Sequence, residues 1–418
     1  VSPHDTAASS HDTRKHDFPG FSRDYCSSVS GTAGAPSHDT MTSTRCSIFA
    51  SSLLFLFGAL TSACSGSSDD GASPNQSATD DSGTSASADS SASSSNAANS
   101  NDSEIDGASS IDGGLTSCPT SGTGAIDVPG VTCLTVTPIQ TGAASTGEDA
   151  DVPSYALYPS TGSNGELVLF LNASGGTPAG AIASPTQSFY SAATSLGYTV
   201  LAVSYYSQKP IGTLCGNQDA CYWPTREAVI TGVASTGTSP TVMADITVDQ
   251  SITGRAELAL AWLSENDSTH PWRSFLKAGD AGAASHIDWS KVIVAGHSQG
   301  GGHAAAMGKL YPVKRVVQLS SVCDAVNDAP ASWTNGTVGT WVSDPTQFYG
   351  LAAPTIFTAG KATGGDTICP QHVADWMNLG MIASHQNDNA ATCGNTGVTH
   401  SESVLCTANY AAWQAMLQ

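Results

Sequence analysis

Positive charge is what this chain has least of. Its 418 residues hold 14 Lys and Arg against 35 Asp and Glu, a formal net charge of −21 at pH 7, and no basic residue falls between Arg45 and Lys209. Phosphate backbones are bound by clustered Lys and Arg, so no nucleic-acid partner is expected. An acidic surface favours solubility and mildly repels anionic partners. Zinc motifs are missing too: there is no Cys-x-x-Cys pair and no His-Glu-x-x-His helix, so no metal is expected. The apolar run from Ile48 to Leu60 is shorter than the ~20 residues a membrane-spanning helix needs. No internal repeat is visible in the region that follows.

What is present at the N-terminus reads as export machinery. The chain begins with Val, carries His-Asp-Thr at 4–6, 11–13 and 38–40, and reaches its first Met at Met41. Translation is expected to start there, with residues 1–40 an upstream artefact rather than a metal tract. Arg45 followed by the run 48–60 then makes residues 41–63 a signal peptide. The stretch "ALTSAC" resembles the lipobox of bacterial lipoproteins, which makes Cys64 the lipid-bearing residue. Thr61 stands where that motif prefers Leu, and plain secretion with cleavage after Ala63 is the competing reading. Residues 64–116 are dominated by Ser, Ala, Asp, Gly and Asn, too polar to offset their ordering entropy, and are expected to form a disordered tether.

Residues 117–418 suffice for one large domain. With Cys26, Cys46 and Cys64 set aside, eight of the 11 cysteines remain, an even number that suits a disulfide framework in an exported protein. Close spacing suggests 118–133, 215–221 and 393–406, leaving 323 with 369. Apolar runs bounded by turn residues predict strands at 154–159, 166–173, 199–206, 291–298, 314–321 and 354–360. The middle ones are continuous rather than alternating, as strands covered on both faces are. Ser184-Pro185 predicts the start of a helix that stops at Gly197, and 251–265 carries apolar residues along one helical face. Strands alternating with helices imply an α/β fold, a mostly parallel sheet with helices on both faces.

Gly296-His297-Ser298-Gln299-Gly300 satisfies G-x-S-x-G between a β-rich and a helix-forming run. That context suits a nucleophile elbow with Ser298 at its tip, where Gly296 and Gly300 avoid Cβ collisions and Gly301 and Gly302 let the helix pack closely. One oxyanion donor is expected at the backbone N–H of Gln299. The second is expected in "LNASGGTPAG" (171–180), at Ser174 or its neighbour Gly175. The acid is expected at Asp366, with Asp324 as the alternative. For the chain order Ser, Asp, His, the base is expected at His400, in a loop that Cys393 and Cys406 would close. His372 and His385 compete with it, and His297 and His303 are expected to pack around the elbow.

Together these residues resemble the α/β-hydrolase superfamily over roughly residues 150 to 418. "AGHSQGGGHAA" looks like the elbow of secreted serine hydrolases, and "PTIFTAG…DTICP" is similar to the acid-bearing strand and loop of bacterial cutinases and polyester hydrolases. The resemblance implies an α/β-hydrolase fold with Ser298 as nucleophile, Asp366 as acid and His400 as base. Two departures stand out: "KATGG" lengthens the approach to Asp366, and "LNASGG" replaces the aromatic-bearing oxyanion loop of the polyester hydrolases.

The reaction this implies is hydrolysis of a carboxylic ester through an acyl-enzyme, without metal or organic cofactor. With no basic cluster to read an anion, a neutral small-molecule or polymeric ester is expected, cleaved by a monomer. Membrane contact is expected only through the lipid anchor, at the cell envelope or after secretion. Residues 324–350 sit where this fold carries a lid. Trp333, Trp341, Phe348 and Tyr349 would give it an aromatic wall, opposite Tyr205, Tyr206 and Trp223, unless these pack in the core. A peptidase or amidase on the same triad, and a non-catalytic binding protein on the same scaffold, are the alternatives.

Overall fold

The computed structural model describes residues 114–120, 126–143, 151–182, 184, 186–233, 246–277, 287–335, 339–394 and 399–418. The expected leader, signal peptide, Cys64 and nearly all of the tether lie outside the described residues. Among the described residues, no helix is long and apolar enough to cross a membrane.

Among the described residues, nine strands form the central sheet. In chain order they begin with β1 (Thr116–Ser117), β2 (Val131–Val136), β3 (Ser154–Pro159), β4 (Leu167–Leu171) and β5 (Thr199–Val203), and continue with β6 (Val292–His297) and β7 (Arg315–Leu319). A short hairpin, β8 (Ala325–Val326) and β9 (Ala329–Pro330), precedes the last two sheet strands, β10 (Phe348–Leu351) and β13 (Gln386–Asn387). Between those two lies a second hairpin, β11 (Thr355–Thr358) and β12 (Lys361–Gly365). The sheet order is β1-β2-β3-β5-β4-β6-β7-β10-β13, antiparallel as far as β5 and parallel from β5 onward. From β2 onward this is the strand order of the α/β-hydrolase fold. The mostly parallel sheet expected from continuous apolar runs is present.

The middle strands of the sheet, β4 to β7, are buried on both faces. Leu167, Leu169, Leu171, Val292 and Val294 point to a core shared with α4 (Asp219–Thr231), α5 (Ile252–Asn266) and α6 (Gln299–Leu310). Val168, Phe170, Ile293 and Ala295 point to the opposite core with α2 (Phe189–Ser195) and α9 (Tyr410–Leu417). Period-two alternation divides β4, β5 and β6 between the two layers, so these strands are buried along their whole length. Among the described residues there are also four short α-helices: α1 (Pro138–Thr141), α3 (Ile211–Cys215), α7 (His372–Asn378) and α8 (Glu402–Leu405).

Two expectations are corrected. The run 354–360 is not a strand of the central sheet: residues 355–358 pair with 361–365 in a hairpin, and Phe348–Leu351 takes the place beside β7. Ile356 and Phe357 are largely exposed, so the apolar signal there comes from a surface hairpin. "KATGG", the departure noted above, is its return strand. The helix expected from Ser184 begins only at Phe189, where Ser188 and Ser191 form a reciprocal capping box. Its stop at Gly197 holds, with that glycine at φ 83°.

All four expected disulfides are present, Cys118–Cys133, Cys215–Cys221, Cys323–Cys369 and Cys393–Cys406. Such a set suits an oxidising compartment.

Candidate active site

The parallel strands deliver the candidate residues to one edge of the sheet. Ser298 follows β6 directly and has φ 55° and ψ −119°, a conformation rare for any residue but Gly. Its N–H donates to the Leu319 carbonyl at 2.8 Å, fixing the turn to the end of β7. The motif glycines fit for stated reasons. A Cβ on Gly296 would come within 2.4 Å of the Gly300 carbonyl carbon, and one on Gly300 within 2.2 Å of the Leu171 carbonyl oxygen. Gly301 keeps α6 close to the sheet, its Cβ position falling 2.8 Å from the Gly296 carbonyl oxygen of β6, whereas Gly302 makes room for a side chain instead. Their Cβ positions meet the Ser321 hydroxyl and the Arg226 guanidinium, each at 2.2 Å.

His400 and Asp366 meet across 34 residues of sequence. His400 Nδ1 lies 3.0 Å from both Oδ1 and Oδ2 of Asp366, a carboxylate that is fully buried. Since a carboxylate only accepts, Nδ1 carries a proton, and in the neutral ring Nε2 is the nitrogen with the lone pair. Nε2 is buried and has no hydrogen-bond partner. Asp366 Oδ1 also accepts from the N–H groups of Ile368 (3.1 Å) and Cys369 (3.0 Å). Burial opposes ionisation of Asp366, but the His400 bond and charge together with the Cys369 N–H outweigh it and hold its carboxyl below the ordinary range. Ser298 and His400 line one cavity of about 420 Å³.

Asp324, the alternative acid, is engaged elsewhere. Its two oxygens accept from Arg226 Nε (2.6 Å) and Nη2 (2.7 Å), and Oδ2 also accepts from Trp333 Nε1 at 2.8 Å. Arg226 Nη1 in turn donates to the Gln299 carbonyl at 3.2 Å. This buried pair thus braces the elbow from below, and Gly302 makes room for it. The competing histidines are also occupied. His372 lies on α7, its Nδ1 donating to the Cys369 carbonyl at 2.7 Å. His385 stacks on Tyr349 with ring centroids 3.7 Å apart and donates to the Phe348 carbonyl.

The loop after β4 lies against the elbow as expected. Ser174 Oγ donates to Gln299 Oε1 at 2.7 Å, and the same oxygen accepts from Ile211 N–H at 3.2 Å. Gln299 therefore contributes its side chain as well as its backbone. As the first residue of α6, its N–H has no intrahelical acceptor. Gly175 N–H is committed to the Ser207 carbonyl at 2.8 Å, whereas Ser174 N–H makes no hydrogen bond among the described residues. Asn172, which carried no sequence signal of its own, braces the loop through Nδ2 to Gly176 O (2.6 Å) and Ser207 Oγ (3.1 Å).

The elbow histidines behave differently from one another. His303 is fully buried, edge-on to Tyr205, and held well below its usual pKa by burial and by Arg226. His297 instead donates Nε2–H to the His400 carbonyl at 3.1 Å and lines the cavity. Its support of the base loop went unread in the sequence.

The expected aromatic wall is absent from the cavity lining. Trp223, Trp333 and Trp341 pack around Lys309 of α6 with ring centroids 4.5–5.8 Å from Nζ, and burial lowers that ammonium's pKa to about 8. Phe348 is a core strand residue, and Tyr205 is buried with its hydroxyl on the Asn172 carbonyl. The cavity is lined instead by small and aliphatic groups, among them Ala173, Pro210, Ile211, Gly212 and Ile368, with Arg226 and Asp324 neutralising each other.

No family model matches this sequence, and no curated protein matches it. Among solved structures, the chain is similar to an esterase from the bacterial hormone-sensitive lipase family, with 16% identity over 48% of this chain and 46% of that one, at a TM-score of 0.24. It is also similar to the acetyl xylan esterase from Aspergillus awamori, with 13% identity over 59% of this chain and 80% of that one, at a TM-score of 0.30. This chain spans about half the length of the first of these, at 46%.

Proposed function

We propose that this protein is an exported serine hydrolase that cleaves a carboxylic ester, with Ser298 as nucleophile, His400 as base and Asp366 as the acid that orients it. The observation that carries the reading is the His400–Asp366 contact at 3.0 Å, with Nε2 unpaired on the cavity that Ser298 lines. Nε2 accepts the Ser298 proton as the hydroxyl attacks the ester carbonyl. The N–H groups of Gln299 and Ser174 stabilise the oxyanion. Nε2–H then protonates the leaving alcohol, and water activated the same way releases the acid from the acyl-enzyme. A neutral cavity lined by small and aliphatic groups suits an uncharged ester. The signal peptide and Cys64 lipidation belong to the same proposal, as does cleavage by a monomer.

A fluorophosphonate probe tests the nucleophile. Wild type is expected to label with one equivalent and Ser298→Ala not at all. Equal labelling of both, or none of either, refutes the assignment. A p-nitrophenyl ester series run beside peptide substrates tests the bond cleaved, and peptide turnover without ester turnover would make the protein a peptidase.

A further inference from the structure

The cystine beside the site joins groups that make a different site once the bond is opened. Cys323 is half-buried and lines the Ser298 cavity, while Cys369 is fully buried and its N–H holds the Asp366 carboxylate. The two sulfurs and a ring nitrogen of His400 all lie within 4.8 Å of one another. His400 already has the backing that metal-binding histidines use, Nδ1–H on a buried carboxylate, and its Nε2 has no hydrogen-bond partner. Two thiolates and one such imidazole are the donor set of a soft divalent cation. Bonded to each other, the sulfurs cannot supply it, because the thiolate is the ligand.

We propose that reduction of Cys323–Cys369 turns Cys323, Cys369 and His400 into a binding site for a zinc-class divalent cation, and that this site and hydrolysis exclude each other. Zinc–sulfur bonds of about 2.3 Å and zinc–nitrogen bonds of 2.0–2.1 Å, arranged tetrahedrally, space the donors roughly 3.5–3.8 Å apart. That spacing falls inside the observed envelope of 4.8 Å once the sulfurs separate. Water from the cavity that Cys323 and His400 line would take the fourth position. A tertiary phosphine accomplishes the reduction. Its phosphorus takes the oxygen of a water molecule to become the phosphine oxide, the S–S bond accepts two electrons, and the two water protons end on the sulfurs. The cation then displaces both thiol protons to solvent and takes the Nε2 lone pair. One other such grouping occurs among the described residues, Cys393, Glu402 and Cys406. There both carboxylate oxygens already accept N–H groups, from Cys393 (2.9 Å) and Gly394 (3.2 Å). The loss of activity rests on His400 as the base in the proposed reaction; the binding of the cation does not.

The test uses the full chain, reduced with phosphine and desalted, then titrated with Co²⁺. Reduced wild type is expected to show thiolate-to-cobalt charge-transfer absorption that saturates at one equivalent and is displaced by Zn²⁺; the oxidised protein should show none. Without any variant, Zn²⁺ should protect Cys323 and Cys369 from iodoacetamide at least tenfold, as read by mass spectrometry. His400→Gln should weaken Co²⁺ binding at least tenfold, and Cys393→Ala/Cys406→Ala should leave the band in place. Zn²⁺ should inhibit ester hydrolysis by the reduced protein at least tenfold, reversibly with a chelator, and leave the oxidised protein unaffected. The proposal falls if no band forms, if protection appears at Cys393 and Cys406 instead, if His400→Gln binds as tightly as wild type, or if reduction abolishes the far-ultraviolet circular dichroism. Should the protein hydrolyse nothing in either redox state, the band and the protection pattern still decide the metal site.

Discussion

His297 donates its Nε2–H to the carbonyl oxygen of His400 across 3.1 Å, so the residue before the candidate nucleophile holds the backbone of the candidate base. Burial, and then the neighbouring His400, push the His297 pKa down to about 3. The ring is therefore neutral at working pH, and the bond fixes its tautomer. His297→Phe should lower kcat roughly tenfold with KM within twofold of wild type, because a displaced imidazole costs reaction rate rather than binding. His297→Asn, which retains a donor, should recover part of the loss. Equal kcat values for Phe and Asn would show that the hydrogen bond does not matter.

Asp366 and Asp324 are both buried, but they should respond differently to the same change. Asp366→Asn puts an amide where the carboxylate fixes the imidazole tautomer, and kcat should fall by about 10⁴. Asp324→Asn leaves the buried Arg226 with a neutral partner, so the expected cost is in stability, about 3–5 kcal/mol. Steady-state kinetics beside denaturant unfolding separate the two. A 10⁴ loss in Asp324→Asn with normal stability would move the acid to that loop.

The difference between these two aspartates marks where the sequence stops being readable. Ser298, its glycines and the loop after β4 were legible because each requirement is local: a strained turn needs missing Cβ atoms within five residues. That His400 would meet Asp366 was anticipated from the chain order Ser, Asp, His and from the place of Asp366 after the run 354–360. The partner of Asp324 was not, since Arg226 lies 98 residues away with no spacing rule to link them. The hairpin 355–365 was misplaced because β-prone residues predict a strand without saying which sheet it joins. Phe348–Leu351, with a glycine among only four residues, gave too weak a signal to rival it. Trp333 and Trp341 were expected in a lid and Trp223 opposite it, unless packed in the core, because no composition rule seats Lys309 among three indoles.

Asp375 on α7 is fully buried, and neither carboxylate oxygen has a hydrogen-bond partner. Burial, and then the charge of Asp324, raise its pKa well above the usual range despite Arg226. The sign follows from proton counting: between the unfolded pKa near 3.9 and the raised folded value, the unfolded chain gives up a proton that the folded protein keeps. Stability therefore falls as pH rises through that window. Asp375→Asn removes the titration, so its melting temperature should match wild type near pH 4 and exceed it by several degrees at pH 7. A pH-independent difference would contradict the linkage.

Two glycines near the site should separate space from strain. Gly300 has the Leu171 and Asn172 carbonyl oxygens 2.2 and 2.5 Å from its Cβ position, both backbone atoms at the end of β4 that cannot swing aside. Gly300→Ala must push the elbow off the strand, and both kcat and stability should drop, the latter by several kcal/mol. Gly212 sits in α3 on the cavity wall with nothing within 4 Å of its Cβ position. There Ala is the better helix former, so Gly212→Ala should raise stability by about 0.5–1 kcal/mol. Its methyl enters the cavity beside Ser298, so KM for bulky acyl groups should rise while KM for acetyl esters holds. Denaturant midpoints and an acyl-length series on the two variants check both claims, and a uniform KM change across acyl lengths would remove Gly212 from the substrate wall.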